Sequence, residues 1–290
     1  MRFYRAFCLT GLGVALFAVS ATAGTLTVGF ESPAYTVGNI NGQDGWSKTG
    51  PYDAAVSSGG AFAGSQSLRI SNGVASGSFG DQTFTPHLAV PAGESTVPGA
   101  VNTFLSSWYF KSVTGELQDG LGISVSADNG AGARMTYVRM GDDATNGMNL
   151  QFYDTDTTGN FVFQQLTTNI DRTIWHRVDV NVSFVDGPSN DVVKVYLDGL
   201  LLVTGTTWED FDRYGPTSDG GGGGLSPVNS VLFRAGGSSV PANLGGGFYI
   251  DNVSLTSEQS EIPEPGTWSL LLGAACLLAP LARKKLAERT

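Results

Sequence analysis

Cysteine is almost missing from this chain: its 290 residues include two, Cys8 and Cys276, and both sit inside the hydrophobic ends. The stretch between them has no disulfide to draw on, so it must fold on its apolar core, alone or with a bound metal. Histidine is as scarce, with His87 and His176 the only two, and neither stands near a second His, a Cys or a carboxylate at zinc-site spacing. Positive charge is short as well. Between Gly24 and Pro265, ten Lys and Arg face 25 Asp and Glu. Such acidity repels nucleic acid and anionic membrane surfaces, so no nucleic-acid partner is expected. It also keeps an exported chain soluble and is compatible with bound calcium. Outside the two ends no long stretch repeats its apolar residues at roughly the 3.6-residue helical period, and no serine nucleophile motif occurs.

What is present begins with an address. Arg2 and Arg5 precede an apolar run from Ala6 to Ser20, and Ala21-Thr22-Ala23 offers the small residues that a signal peptidase reads. Residues 1–23 are therefore expected to be a cleaved signal peptide, the run being too short for a spanning anchor. Cys8 lies before most of that run, which excludes a lipoprotein signal. At the far end a linker, residues 257–266, carries Pro263-Glu264-Pro265; residues 267–282 hold no charge, and Arg283, Lys284 and Lys285 open a basic tail over residues 283–290. As a helix the 16 uncharged residues would reach about 24 Å against a hydrocarbon core of about 30 Å. Thinning of the bilayer or snorkelling cations closes that gap, so a transmembrane helix with a cytoplasmic basic tail is expected. The order of Pro-Glu-Pro, short helix and basic end resembles the PEP-CTERM sorting signal of Gram-negative bacteria that make exopolysaccharide. That resemblance implies a membrane exosortase as partner, cleavage near the motif, and a mature form at the cell surface or in the extracellular matrix.

Residues 24–256 read as strands. Apolar residues recur at every second position, bounded by Gly, Asn, Asp and Ser, in TLTVGFE, SLRIS, NTFLSSWYFKSV, GISVSAD, RMTYVRM, MNLQFYD, FVFQQLT, VNSVLFRAG and GFYIDNVSL. With 40 glycines in the chain and turn signals between the runs, an all-β sandwich is expected rather than an α/β fold. Only WEDFDRYG suggests a helical turn. Val178, Val180, Val182 and Phe184 share one face of a strand, and Val193, Val195 and Leu197 one face of the next. Asp198-Gly199 supplies residues tolerant of positive φ, so VKVYL and LLLVTG should form a hairpin. Glycines 220–224 read as a flexible loop, since neither a Lys-Ser or Lys-Thr pair nor a helix start follows them.

Trp175, His176 and Val178, followed by Val193, Val195, Tyr196, Leu197, Asp198, Gly199 and Leu201, resemble the laminin-G and concanavalin A-like lectin/glucanase superfamily. Tyr249 to Leu255 resembles its closing strand, and Phe30 to Trp46 is similar to the opening segment of many exported jelly rolls. The resemblance implies a concanavalin A-like jelly-roll β-sandwich. It does not transfer an activity.

Such a fold directs attention to carboxylates. Glucanases of the superfamily set two glutamates in an E-x-D-x-x-E pattern, and none of Glu31, Glu94, Glu116, Glu209, Glu258, Glu261 or Glu264 has that spacing. WYFKSV resembles an alginate-lyase strand without the partner motifs around it, which leaves a polysaccharide lyase as the alternative to a non-enzymatic protein. His176 shares parity with Val178, the position of a hydrogen-bonded core histidine. In related sandwiches a structural calcium ties the opening segment to the last strand, and Glu31 and Asp251 stand at the matching places. Sugar binding requires exposed aromatics beside amides and arginine. Trp108, Tyr137, Arg139, Gln151, Tyr153 and Trp175 are the candidates, with exopolysaccharide as the candidate ligand.

Overall fold

Period-two alternation over short, glycine-punctuated runs yields sheet, and the regular structure of the computed structural model is almost all strand. It describes residues 22–74, 81–95, 100–215, 227–236 and 238–259. The expected transmembrane segment, the sorting residues Pro263, Glu264, Pro265, Arg283, Lys284 and Lys285, and glycines 220–224 lie outside them, as does all but the end of the expected signal peptide. Among the described residues no helix is long and apolar enough to cross a membrane.

The strands in chain order are β1 (Thr22–Val28), β2 (Gly38–Asn39), β3 (Ser47–Thr49), β4 (Ala54–Ser57), β5 (Ser67–Ile70), β6 (Gln82–Phe84), β7 (Val101–Ser112) and β8 (Leu121–Asp128). There follow β9 (Val138–Asp143), β10 (Gly147–Thr155), β11 (Phe161–Ile170), β12 (His176–Val185), β13 (Val192–Leu197), β14 (Leu200–Gly205), the α-helix α1 (Glu209–Tyr214), β15 (Ser230–Ala235) and β16 (Phe248–Gln259). One sheet runs β14-β13-β12-β7-β16-β5-β4-β2, with β1 also on β16, and the other runs β11-β10-β9-β8-β15-β6-β3. All pairings are antiparallel. The first and last strands adjoin, as the closing-strand resemblance implies.

The two sheets meet through their inward residues. Trp108 on β7 meets Phe233 on β15 edge to face at 6.1 Å, and Trp46 packs on the same phenylalanine at 6.2 Å. Both indoles are satisfied: Trp108 Nε1 donates to Met140 Sδ at 3.3 Å, and Trp46 Nε1 to the Tyr35 hydroxyl at 3.0 Å. Val178, Val180, Val182 and Phe184 of β12 are buried on the inner side. The β13–β14 hairpin turns at Asp198 and Gly199 with φ of 51° and 81°, as the Asp-Gly pair requires.

Two strands are shifted from their expected positions. β1 ends at Val28, short of Glu31, because Phe30 adopts a φ of 59° that no strand continues through. β9 begins at Val138 rather than Arg134. The Thr136 hydroxyl takes the Ala127 N–H at 2.9 Å in place of a backbone carbonyl, which breaks the ladder there.

Trp108→Ala empties the central contact between the sheets. It is expected to lower unfolding free energy by about 3–5 kcal/mol, read as a lower urea midpoint.

Candidate functional site

Antiparallel register places every second residue of the seven-stranded sheet on its outer face, and there the sequence has put polar groups in line. Gln165 on β11 is opposite Gln151 on β10, and Gln151 is opposite Arg139 on β9. Arg139 is opposite Ser124 on β8, Ser124 opposite Arg234 on β15, and Arg234 opposite Gln82 on β6. Six strands spaced about 4.8 Å apart make a polar row about 24 Å long. Its β9–β11 members are linked. Arg139 Nη1 donates to Gln151 Oε1 at 3.0 Å, and Gln151 Nε2 to Asn149 Oδ1 at 2.9 Å and Gln165 Oε1 at 3.3 Å. Asn149 in turn donates to Asp143 at 3.0 Å. The guanidinium of Arg139 lies flat because β8 offers Gly122 beneath it, where a Cβ would fall 2.2 Å from Nη2.

A cavity of about 420 Å³ adjoins the row, lined by Arg134, Tyr137, Tyr153, Phe161, Trp208, Phe211 and Arg234 among others. Tyr137 and Trp208 stack with ring centres 5.6 Å apart, and Tyr153 meets Tyr137 edge to face at 4.9 Å. Trp208 is placed by its own backbone, whose N–H donates to the Met135 carbonyl at 2.8 Å, and by its Nε1, which donates to the Tyr153 carbonyl at 2.9 Å. Two guanidiniums share this end of the face. Burial, then the repulsion of Arg234, lowers the Arg134 pKa, while the Asp128 carboxylate partly offsets them. Arg134, Arg139 and Arg234 are three of the seven arginines between Gly24 and Pro265, so this one face concentrates the positive charge of an acidic chain.

Four of the six candidate ligand contacts, Tyr137, Arg139, Gln151 and Tyr153, thus share this face. Trp108 does not: at 1% exposure it belongs to the core, because its parity on β7 points it at the other sheet. Trp175 lies with Phe62 and Tyr249, at 5.9 and 6.4 Å, against the nine-stranded sheet instead. His176 is the expected core histidine, bonded through Nδ1 to Asp198 Oδ2 at 2.7 Å and through Nε2 to the Asp171 carbonyl at 2.9 Å. His87 is exposed beside Gly130. Gln165 and Arg234 had the right parity in FVFQQLT and VNSVLFRAG to be found with Gln151. Trp208 and Phe211 carried no such signal, since only the folding back of α1 brings them to the sheet.

Glu31 and Asp251 come to the same loop. Asp251 Oδ2 accepts the N–H groups of Phe62 and Ala63 at 2.8 and 3.1 Å, and Oδ1 accepts that of Asn252 at 2.7 Å. Glu31 Oε1 accepts from Ser65 N and Gln66 N at 2.8 and 2.9 Å, and Oε2 accepts from the Ser65 hydroxyl at 2.8 Å. The loop passes so near that a Cβ on Gly64 would lie 2.4 Å from Glu31. Burial, with the charge of Glu31 added, raises the Asp251 pKa in spite of its amide donors. Every carboxylate oxygen of the pair accepts at least one donor hydrogen, so the two serve as a clamp on the loop.

No family model matches the chain, and no curated protein matches it. Solved structures similar to it include the alginate lyase Aly36B in complex with an alginate tetrasaccharide, at 13% identity and a TM-score of 0.45, over 80% of this chain and 96% of that one. The lectin UEA-II in complex with galactose is similar at 14% identity and a TM-score of 0.42, over 80% and 98%. A family 16 carbohydrate binding module is similar at 15% identity and a TM-score of 0.32, over 74% and 93%. At such identities the chemistry of the face has to come from this chain's own side chains.

Asp251→Ala would leave two amides of the clamped loop without their acceptor. Denaturant unfolding should show a loss of about 1–3 kcal/mol.

Proposed function

We propose that this protein is an exported, non-enzymatic glycan-binding protein that lays an acidic exopolysaccharide strand across the outer face of its seven-stranded sheet. One observation carries the reading: arginines and amides stand in line over six strands, with an aromatic cavity alongside. Guanidinium groups pair with carboxylate or sulfate, amides both donate to and accept from hydroxyls, and aromatic rings stack on the apolar faces of sugars. The row is also long enough for several sugar units.

Hydrolysis is disfavoured on this face. Asp143 is the carboxylate wired to the row; burial works against its charge, yet the donors of Asn146, Thr145 and Asn149 outweigh burial and hold its pKa below the ordinary range, unsuited to a general acid. A polysaccharide lyase is the second reading. Tyr137 and Tyr153 share the face with an arginine–amide pair, the groups that a β-elimination uses as base and as carboxylate neutraliser.

Retention on immobilised polyuronate against neutral dextran separates these readings. Retention that weakens with salt, without unsaturated products, is the expected outcome. Arg139→Ala should cost about 1.5–3 kcal/mol of binding, tenfold or more, and Tyr153→Ala should weaken it in the same direction, while Trp175→Ala leaves it within about twofold. Release of unsaturated fragments would favour the lyase, and equal retention on dextran would overturn the acidic ligand.

The ends complete the reading. Signal peptidase and an exosortase process the precursor, the latter at Pro263-Glu264-Pro265, with Arg283, Lys284 and Lys285 retained in the cytoplasm until then. Mass spectrometry of the mature protein should find the residues beyond the motif missing; a C-terminus intact to Thr290 would contradict this.

A further inference from the structure

Beside α1, three segments bring their carboxylates to one point. Glu94 comes from the β6–β7 connection, Asp191 from the residue before β13, and Glu209 from the first residue of α1. One oxygen of each lies within 4.8 Å of the others. Asp191 and Glu209 are buried, at 2% and 0% exposure.

The surroundings are built to hold these oxygens in place. Glu209 Oε1 accepts the N–H groups of Asn190 and Asp191, both at 2.8 Å. Asp191 Oδ1 accepts the Val185 N–H at 2.8 Å, and its Oδ2 the Thr207 hydroxyl at 2.6 Å. Among the described residues, Arg213 is the one cation paired with the group. Its Nη2 reaches both oxygens of Glu94, at 2.5 and 2.7 Å, and its Nε stops 3.7 Å from Glu209 Oε2, beyond a hydrogen bond. Three carboxylates against one guanidinium leave two negative charges uncompensated, before Asp210 is counted.

A second observation is independent of the clustering. Glu209 Oε2 is buried and has no hydrogen-bond partner, although the side chain is wholly inaccessible; its other oxygen is anchored to the 190–191 amides, so Oε2 is turned toward Arg213 and Glu94. Asn190 Oδ1 and Asp210 Oδ1, in the two segments that wrap the group, are buried without a partner as well. Buried acceptors without donors are costly, and several at one place call for something that supplies positive charge to oxygen.

We propose that Glu94, Asp191 and Glu209 form a binding site for a hard divalent cation of the calcium class. The donors are all oxygen, with no imidazole or thiolate among them, which favours calcium over zinc or copper. A dication cancels the two uncompensated charges and occupies the open side of Glu209 Oε2. It ties the β6–β7 connection, the loop before β13 and α1 into one body. Since α1 carries Phe211 and follows Trp208, both lining the cavity, the ion also steadies that aromatic wall.

The experiment titrates calcium chloride into chelator-treated, purified full-length protein by calorimetry, with thermal melts in parallel. One ion per chain is expected, with a higher Tm at about a hundredfold excess over Kd. Asp191→Asn and Glu209→Gln should abolish both responses. Glu94→Gln, at the less buried position, should fold normally by circular dichroism and still weaken binding at least tenfold. Glu31→Gln should leave the titration unchanged. Absence of heat and of a melting shift with calcium, magnesium and manganese would overturn the site, as would a response that survives Asp191→Asn and Glu94→Gln or disappears with Glu31→Gln. None of these readouts involves a glycan, so the site stands or falls separately from the binding face.

Discussion

Two sheets can stack only where each sends every second side chain inward, and in this protein that constraint converges on the Phe233 ring, held between Trp46 and Trp108. The contact joins β15, at the middle of one sheet, to β7, at the middle of the other. A parity slip in either strand would turn its core residues out to solvent. Because the inner positions are committed to packing, the chemistry is left to the outer positions. The row from Gln165 to Gln82 is the other half of the alternation that builds the core.

Without a disulfide among its described strands, the fold closes by other means. The branch of the nine-stranded sheet at β16, where β5 pairs with the first part of the strand and β1 with the rest, is marked by a register shift between Asp251 and Ser254 and by Asn252 at a φ of 47°. Asp251 stands at that branch and, with Glu31, holds the 62–66 loop by its amides. One acidic pair thus serves as a clamp through N–H groups, while the triad beside α1 leaves one oxygen, Glu209 Oε2, without a donor. The difference lies in the number of donors each group meets.

Charge follows the same division. The acids are spread over turns, where Asp143 and Asp156 accept nearby N–H groups and sit below their ordinary pKa, whereas Arg134, Arg139 and Arg234 gather on one face. Net charge alone describes the repulsion of nucleic acid and overlooks a local site of opposite sign.

Period-two alternation was enough to read the all-β class, most strands, the Asp-Gly hairpin and the core position of His176, because side-chain direction in a strand is a local property of the backbone. Trp108 shows where local reading stops: its alternation places it on one side of β7, but which side faces the other sheet is settled only when the sheets pack. The neighbours of a residue across strands are likewise not local. Arg234 lies beside Arg139 through β8, Trp208 reaches Tyr137 through the fold of α1, and Glu94 meets Glu209 across more than a hundred residues. The sequence by itself determined which side chains lie on the same side of each strand. Only the tertiary structure decided which strands stand next to one another, since that depends on how two sheets bury their apolar faces together rather than on any single segment.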